Sequence, residues 1–111
     1  MTENSTPTAS IVLSTAGSPE EAARISQELV ERRLAACVSR VPGLLSVYRW
    51  QGAVEEADEI LLLIKTSTDR LPGLEAALRE LHSYDVPEFL VLPVASGSQA
   101  YLDWLFASVG S

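Results

Sequence analysis

The sequence predicts an α+β domain, with two helices on one face of an antiparallel sheet in a split β-α-β arrangement, and three observations predict it. Segments of strand and helix periodicity follow one another in the order strand, helix, strand, strand, helix, strand, with one more helix at the end. The two middle strands are joined by a tight reversal at Gln51-Gly52-Ala53 and form a long hairpin. At 111 residues, 47% of them hydrophobic, the chain suits one compact domain whose core needs no disulfide or structural metal.

Residues 1–7 are mostly Thr, Ser, Asn and Pro, with little to bury, and read as a disordered tail; residues 8–111 read as the single domain. Within 8–15 the triplet Ile11, Val12, Leu13 sits between small polar residues, a short buried strand that the Ala16-Gly17 break ends. Ser18-Pro19-Glu20-Glu21 then opens a helix: an N-cap serine, proline at the first helical position, and a glutamate three residues after the cap. Ala22, Ile25 and Leu29 form its apolar stripe, and it ends near Arg33. Residues 37–50 are rich in strand formers and carry Pro42-Gly43 in their middle, so they form one long strand kinked by a bulge or bend. The aliphatic run 60–64 reads as a central strand covered on both faces. Ser67, Thr68 and Asp69 are all capable of capping the next helix, in which Leu71, Leu74, Leu78 and Leu81 repeat at helical spacing as far as His82. Pro87 prevents continuation, residues 89–94 give a fourth strand, and 98–106 a last short helix. The solution to this order is a ferredoxin-like sandwich. Its uncovered sheet face, rich in Val, Leu, Tyr and Trp, calls for self-association.

A net charge of −7 repels phosphate backbones and anionic lipid surfaces, so neither nucleic acid nor membrane is an expected partner. The one cysteine, Cys37, has no partner for an internal disulfide, and with a single histidine, His82, one chain cannot build an ordinary four-ligand Cys/His zinc site. Residues 1–10 lack the basic and apolar regions of a signal peptide, and no apolar run approaches the ~20 residues of a membrane span. A soluble cytoplasmic protein is the expectation.

Cys37 is either a small buried hydrophobe or a thiolate able to hold a soft ion such as Cu(I); the second needs a positive neighbour, and Arg40 and Lys65 are the nearest in this topology. His82 opens His82-Ser83-Tyr84-Asp85-Val86-Pro87-Glu88, which is either a polar turn behind a helix C-terminus or a ligand-binding loop entering a strand. Glu55, Glu56, Asp58 and Glu59 are a solvated edge or a source of oxygen ligands for hard cations. Tyr48 and Trp50, near a hairpin tip with no core of its own, are placed to pack on a neighbouring subunit. There is no glycine-rich phosphate loop, nucleophile elbow, Cys-x-x-Cys pair or His-Glu-x-x-His motif, and a Cys37/His82 dyad would lack an orienting third group.

Leu34-Ala35-Ala36-Cys37-Val38, Tyr48-Arg49-Trp50-Gln51-Gly52, Glu55-Glu56, residues 61–66 and the 82–88 loop, extended by Pro93, Gly97, Tyr101 and Trp104, resemble the CutA divalent-cation-tolerance family over nearly the whole chain. The resemblance implies a ferredoxin-like fold, a tight homotrimer, a cytoplasmic setting and tolerance to copper and other divalent cations by binding, without catalytic turnover. It also implies likeness to the PII signalling proteins, with clefts between subunits. Carried over by position, it places metal ligands at Cys37 and His82, and ligand-binding residues at Trp50, Lys65, Tyr84 and Glu88. A small anionic metabolite in such a cleft is the second expectation. Three departures from the family pattern, Ser39, Ser83 with Asp85, and Ala57, shorten or remove polar groups near those positions.

Overall fold

The computed structural model describes residues 6–110, so the tail expected over 1–7 lies, for residues 1–5, outside the described residues. The elements are β1 (Ala9–Ala16), α1 (Pro19–Glu31), β2 (Cys37–Trp50), β3 (Ala53–Ser67), a 3-10 turn (Thr68–Arg70), α2 (Leu71–Leu81), β4 (Leu90–Pro93) and α3 (Gln99–Val109). The four strands form one antiparallel sheet in the order β2-β3-β1-β4, the α+β split arrangement expected.

Strand alternation divides the residues between two layers. Val12, Leu62 and Ile64 point at α1 and α2 and are fully buried with Ile25, Leu29, Leu74 and Leu78; side chains of this size contribute roughly 1.5–3 kcal/mol each when fully buried. Their sequence neighbours Ile11, Leu13, Leu61 and Leu63 point the other way and are only half-buried. On that second face α3 covers one end, where Leu105 and Val109 pack on Ala9 and Ala36. The central strand is therefore sealed on one face and only partly covered on the other.

The start of α1 follows its sequence signal: the Ser18 hydroxyl accepts the Glu21 N–H at 3.1 Å. Its end uses a less common residue. Arg33 takes φ +58, with the Leu34 N–H returning to the Leu29 carbonyl and the Arg33 N–H to Val30. This is the double bond pattern that glycine usually closes. A left-handed non-glycine residue costs about 1 kcal/mol, and here the Arg33 guanidinium offsets it by donating to the carbonyls of Ser108 and Gly110 at the end of α3. The start of α2 departs from expectation. No side chain caps it. Instead Ser67 bonds Asp69, and Thr68 joins Thr8 and Ser10 in a hydroxyl chain, so the candidate caps tie the ends of β1 and β3 together.

β3 begins at Ala53, before the acidic residues, which lie within the strand. Only residues 60–67 of β3 pair with β1; residues 53–59 pair with β2 alone. The hairpin thus runs on as a two-stranded ribbon, closed by Gln51 and Gly52 at φ +50 and +83. The ribbon stretches the molecule to 50 × 26 × 26 Å, and the radius of gyration of 15.1 Å exceeds the roughly 13 Å of a compact chain of this length. Midway, Val41 opposes Leu61 but Leu44 opposes Glu59, so β2 holds one extra residue at Pro42-Gly43, with Gly43 at φ +82. One extra residue reverses which side chains face which way. Before the bulge Cys37, Ser39 and Val41 share the face of Leu61 and Lys65; beyond it Ser46, Tyr48 and Trp50 share the face of Glu55 and Glu59.

Candidate functional site

The connection from α2 to β4 is built around His82, whose side chain is fully buried. Its Nε2 donates to the Thr15 carbonyl at 2.6 Å, and its Nδ1 accepts the Tyr84 N–H at 3.0 Å. These partners fix a neutral imidazole with its proton on Nε2. Nδ1 also stands 3.5 Å from a Glu21 oxygen, but the lone pair it presents is already directed at the Tyr84 amide, so this approach is not an ion pair.

Glu21, read from the sequence as a helix-start residue, holds the same loop from the other side. Its carboxylate accepts the Ser83 N–H at 2.7 Å and the Gly17 N–H at 3.4 Å. Burial alone would raise its pKa, but hydrogen bonds from Ser83 outweigh burial, and the group sits below its ordinary value of 4.5. A folded pKa below the unfolded one adds stability that is complete above the unfolded value and lost as pH falls through the folded value. The protein is accordingly expected to lose stability progressively below about pH 4.5. Denaturant midpoints measured between pH 3 and 7 should show a shallower acid limb in Glu21→Gln; parallel limbs for the two proteins would remove Glu21 from the effect.

Held in this way, the loop swings the Tyr84 ring, 4.5 Å from that of His82, over the end of β1. The Tyr84 hydroxyl passes so close to Gly17 that a Cβ there would lie 3.0 Å from its oxygen. It donates to Glu59 at 2.8 Å. Burial, with the Glu59 carboxylate beside it, raises the phenol well above its ordinary pKa, so it remains a donor. Between this loop and the ribbon lies an open cleft of about 680 Å³. Tyr48, Trp50, Glu55 and Glu59 line it from the ribbon, and Tyr84, Asp85, Pro87 and Glu88 from the loop. Four carboxylates and three aromatic rings face this space, and no Lys, Arg or His lines it.

Of the residues singled out from the sequence, the structure brings together Trp50, Tyr84 and Glu88. Lys65 is not among them: it lies directly across from Cys37 in the β2–β3 register, at the other end of the sheet. Cys37 is half-buried, its Sγ 3.8 Å from the Ser39 hydroxyl. Lys65 pairs with Ile11, whereas His82 binds Thr15; four strand residues separate these positions, about 13 Å. Within one chain, then, Cys37 and His82 do not meet. His82 as placed has no ring nitrogen left for a metal, and among the described residues no three His, Cys, Asp or Glu side chains gather closely enough to hold one. The expected Cys37 and His82 donor set does not fit a metal ion within one chain. Within one chain this cleft offers no positive charge to the anionic metabolite that was expected between subunits. Glu59 is the residue the sequence placed least well, since within an acidic run nothing marks the one carboxylate that folds inward to 9% exposure.

Fold and cleft together define a ferredoxin-like α+β domain with an acidic, aromatic-walled recess between a projecting hairpin and the α2–β4 loop. The family model described as CutA1 divalent ion tolerance protein matches residues 10–108, and the chain belongs to that family. It is 53% identical over 100 residues to the divalent-cation tolerance protein CutA of Thermus thermophilus, covering 90% of this chain and 97% of that one. The solved structure of the Thermus thermophilus divalent cation tolerance protein superposes with a TM-score of 0.90 at 52% identity, covering 92% of this chain and 99% of that one. A structure from Archaeoglobus fulgidus, described as a periplasmic divalent cation tolerance protein CutA, superposes with a TM-score of 0.89 at 33% identity over 92% and 99% of the two chains. The family name links the chain to divalent cations.

Proposed function

We propose that this protein binds cations as a cytoplasmic homotrimer and acts in divalent-cation tolerance without catalytic turnover, with copper the foremost metal. The observation that carries the reading is the charge of the cleft, which Glu55, Glu59, Asp85 and Glu88 line with no basic side chain among them. Such a surface concentrates cations and repels anions. Assembly is supported by the ribbon. A two-stranded ribbon is marginal in water by itself, and this one exposes Tyr48 and Trp50 on one face and Leu45, Val47 and Val54 on the other. Packing against other copies would cover them, and three chains would multiply the single Cys37 thiol.

The test is a titration of the reduced, chelator-treated protein with Cu(I), Cu(II), Zn(II) and Ni(II), with mass measured by light scattering. Expected are a mass of three chains and saturable binding at one site per chain or per trimer. Glu59→Gln should weaken the divalent ions, and Cys37→Ala only Cu(I), because thiolate is the soft donor and carboxylate the hard one. Weak binding in plain Irving–Williams order, unchanged in both variants, would refute metal handling.

A second reading, a PII-like module that binds a small molecule in the cleft, is favoured by the cavity of about 680 Å³ and its aromatic walls. Both features are usual for small-molecule sites.

A further inference from the structure

We propose that Glu21 is a positioning residue for cation binding: from α1, its carboxylate ties the backbone beneath the Tyr84 hydroxyl, at Gly17, to the backbone that leads into Tyr84, at Ser83. The proposal rests on the cation reading above and adds to it a residue that lines no part of the cleft.

The first argument is how little holds the loop. α2 ends at Leu81 and β4 begins at Leu90, and the residues between them belong to no helix or strand. The hydrogen bonds of this connection fall on its first three residues: His82 to Leu78 and Thr15, Ser83 to Glu21, and Tyr84 to His82 and Glu59. Among the described residues, 85–88 make none. Asp85 and Glu88, both on the wall of the cleft, therefore stand where the anchors at 82–84 send them.

The second argument is where Glu21 takes hold. The first turn of α1 is fixed by Pro19 and the Ser18 cap without any help from the loop. From that turn the Glu21 side chain, 9% exposed, accepts the Ser83 N–H at 2.7 Å and the Gly17 N–H at 3.4 Å. These two amides bracket Tyr84. Ser83 precedes it in the chain, and Gly17 lies so close beneath its hydroxyl that a Cβ there would come within 3.0 Å. From this seat Tyr84 donates to Glu59 on β3. One carboxylate thus sets, through a single aromatic residue, how the loop wall stands against the ribbon wall.

The third argument is the choice of a carboxylate. Both of its oxygens accept, so it serves two amides at once, whereas one end of a glutamine side chain is a donor. Glutamine at this position would keep the Ser83 bond, weakened by loss of charge, and turn its NH2 toward the Gly17 amide. The substitution keeps the shape of the side chain and removes the bridge.

Calorimetric titration of the full chain with zinc chloride, together with amide hydrogen exchange followed by NMR, tests this in the parent, Glu21→Gln and Leu29→Val. Leu29 is fully buried on the same helix, and its truncation lowers stability by opening a cavity with no hydrogen bond to the loop at stake. Glu21→Gln is expected to bind zinc about tenfold more weakly, in the range found when a group that orients ligands is lost. Its Ser83 and Tyr84 amides should exchange faster relative to those of Val12 and Ile64 in the core. Leu29→Val should keep parental zinc affinity and parental relative exchange at those two amides. Melting curves and light scattering report whether fold and assembly are retained. Zinc affinity unchanged in folded Glu21→Gln, or lowered equally in Leu29→Val, overturns the proposal. If the parent binds no zinc, the cation reading falls, and exchange alone decides the positioning: unchanged protection of Ser83 and Tyr84 in Glu21→Gln overturns it.

Discussion

Replacing His82 with alanine is expected to cost about 3 kcal/mol or more of stability, and by the same amount with chelator present as with metal added. The substitution empties a fully buried ring site and strips the Thr15 carbonyl and the Tyr84 N–H of their partner at once. A large-to-small change in a core and an orphaned buried polar group are each worth roughly 1–3 kcal/mol or more, and here they coincide. Loss of the ring also frees the loop that carries Tyr84, so the contact with Glu59 should loosen together with the fold. Urea midpoints of the two proteins, taken in excess chelator and again with saturating Cu(II) or Zn(II), decide the matter. If the variant matches the parent in chelator and falls behind only when metal is added, His82 is a ligand and the structural role assigned to it is wrong. Ordinary metal-assay practice would miss this distinction, because a destabilised His82→Ala protein loses metal binding for reasons unconnected with coordination.

The features legible in the sequence are those whose physics is local. Ser18-Pro19 and Glu21 declare the start of α1 within four residues, and the Ser18 cap is made as read. Counting back from the Gln51-Gly52 turn, with one residue allowed for the break at Pro42-Gly43, puts Lys65 opposite Cys37, as observed. What escapes the sequence is either long-range or already explained by something nearer. Glu21 satisfies a local helix-start rule so well that nothing in the sequence signals its second task, binding Ser83 across 62 positions. His82 reads as the end of a helix because its partner Thr15 lies 67 residues away. The acidic stretch reads as a loop or solvated edge because Glu and Asp are poor strand formers. In the ribbon, though, both faces have room for charge, and pairing with β2 carries the strand through it. Cleft membership follows from the same logic. Trp50, Tyr84 and Glu88 come together because the bulge and the loop aim them there, and Lys65 stays apart because a strand position eight residues from Ala57 belongs to the other end of the sheet.

Deleting Gly43 is expected to straighten β2 while leaving the helical core and the β2–β3 register in place. The deletion removes the one extra residue of β2, so Pro42 comes to oppose Ile60 and every pair from Leu44–Glu59 to Trp50–Ala53 is kept. Tyr48 and Trp50 therefore stay on the face of Glu55 and Glu59, and what is lost is the local bend and added twist that an extra residue imparts. The half of β2 that faces α1 keeps its pairing as well, because the register from Cys37 to Val41 is set on the near side of the deletion. The closure at Gln51 and Gly52 has nothing to absorb, since no residue beyond the deletion slips. Proline is tolerated in such a ladder only on an edge strand, and β2 is one. Nuclear Overhauser contacts between Tyr48 and Glu55 are expected to persist in the deletion protein, and those between the ribbon and residues 84–88 to weaken. Loss of the Tyr48–Glu55 contacts would show that the register slips after all; unchanged contacts across the cleft would show that the bend is not what sets the ribbon against the loop. With both observed as expected, the insertion at Pro42-Gly43 sets the angle of the ribbon, and strand alternation alone sets the face that its aromatic rings take.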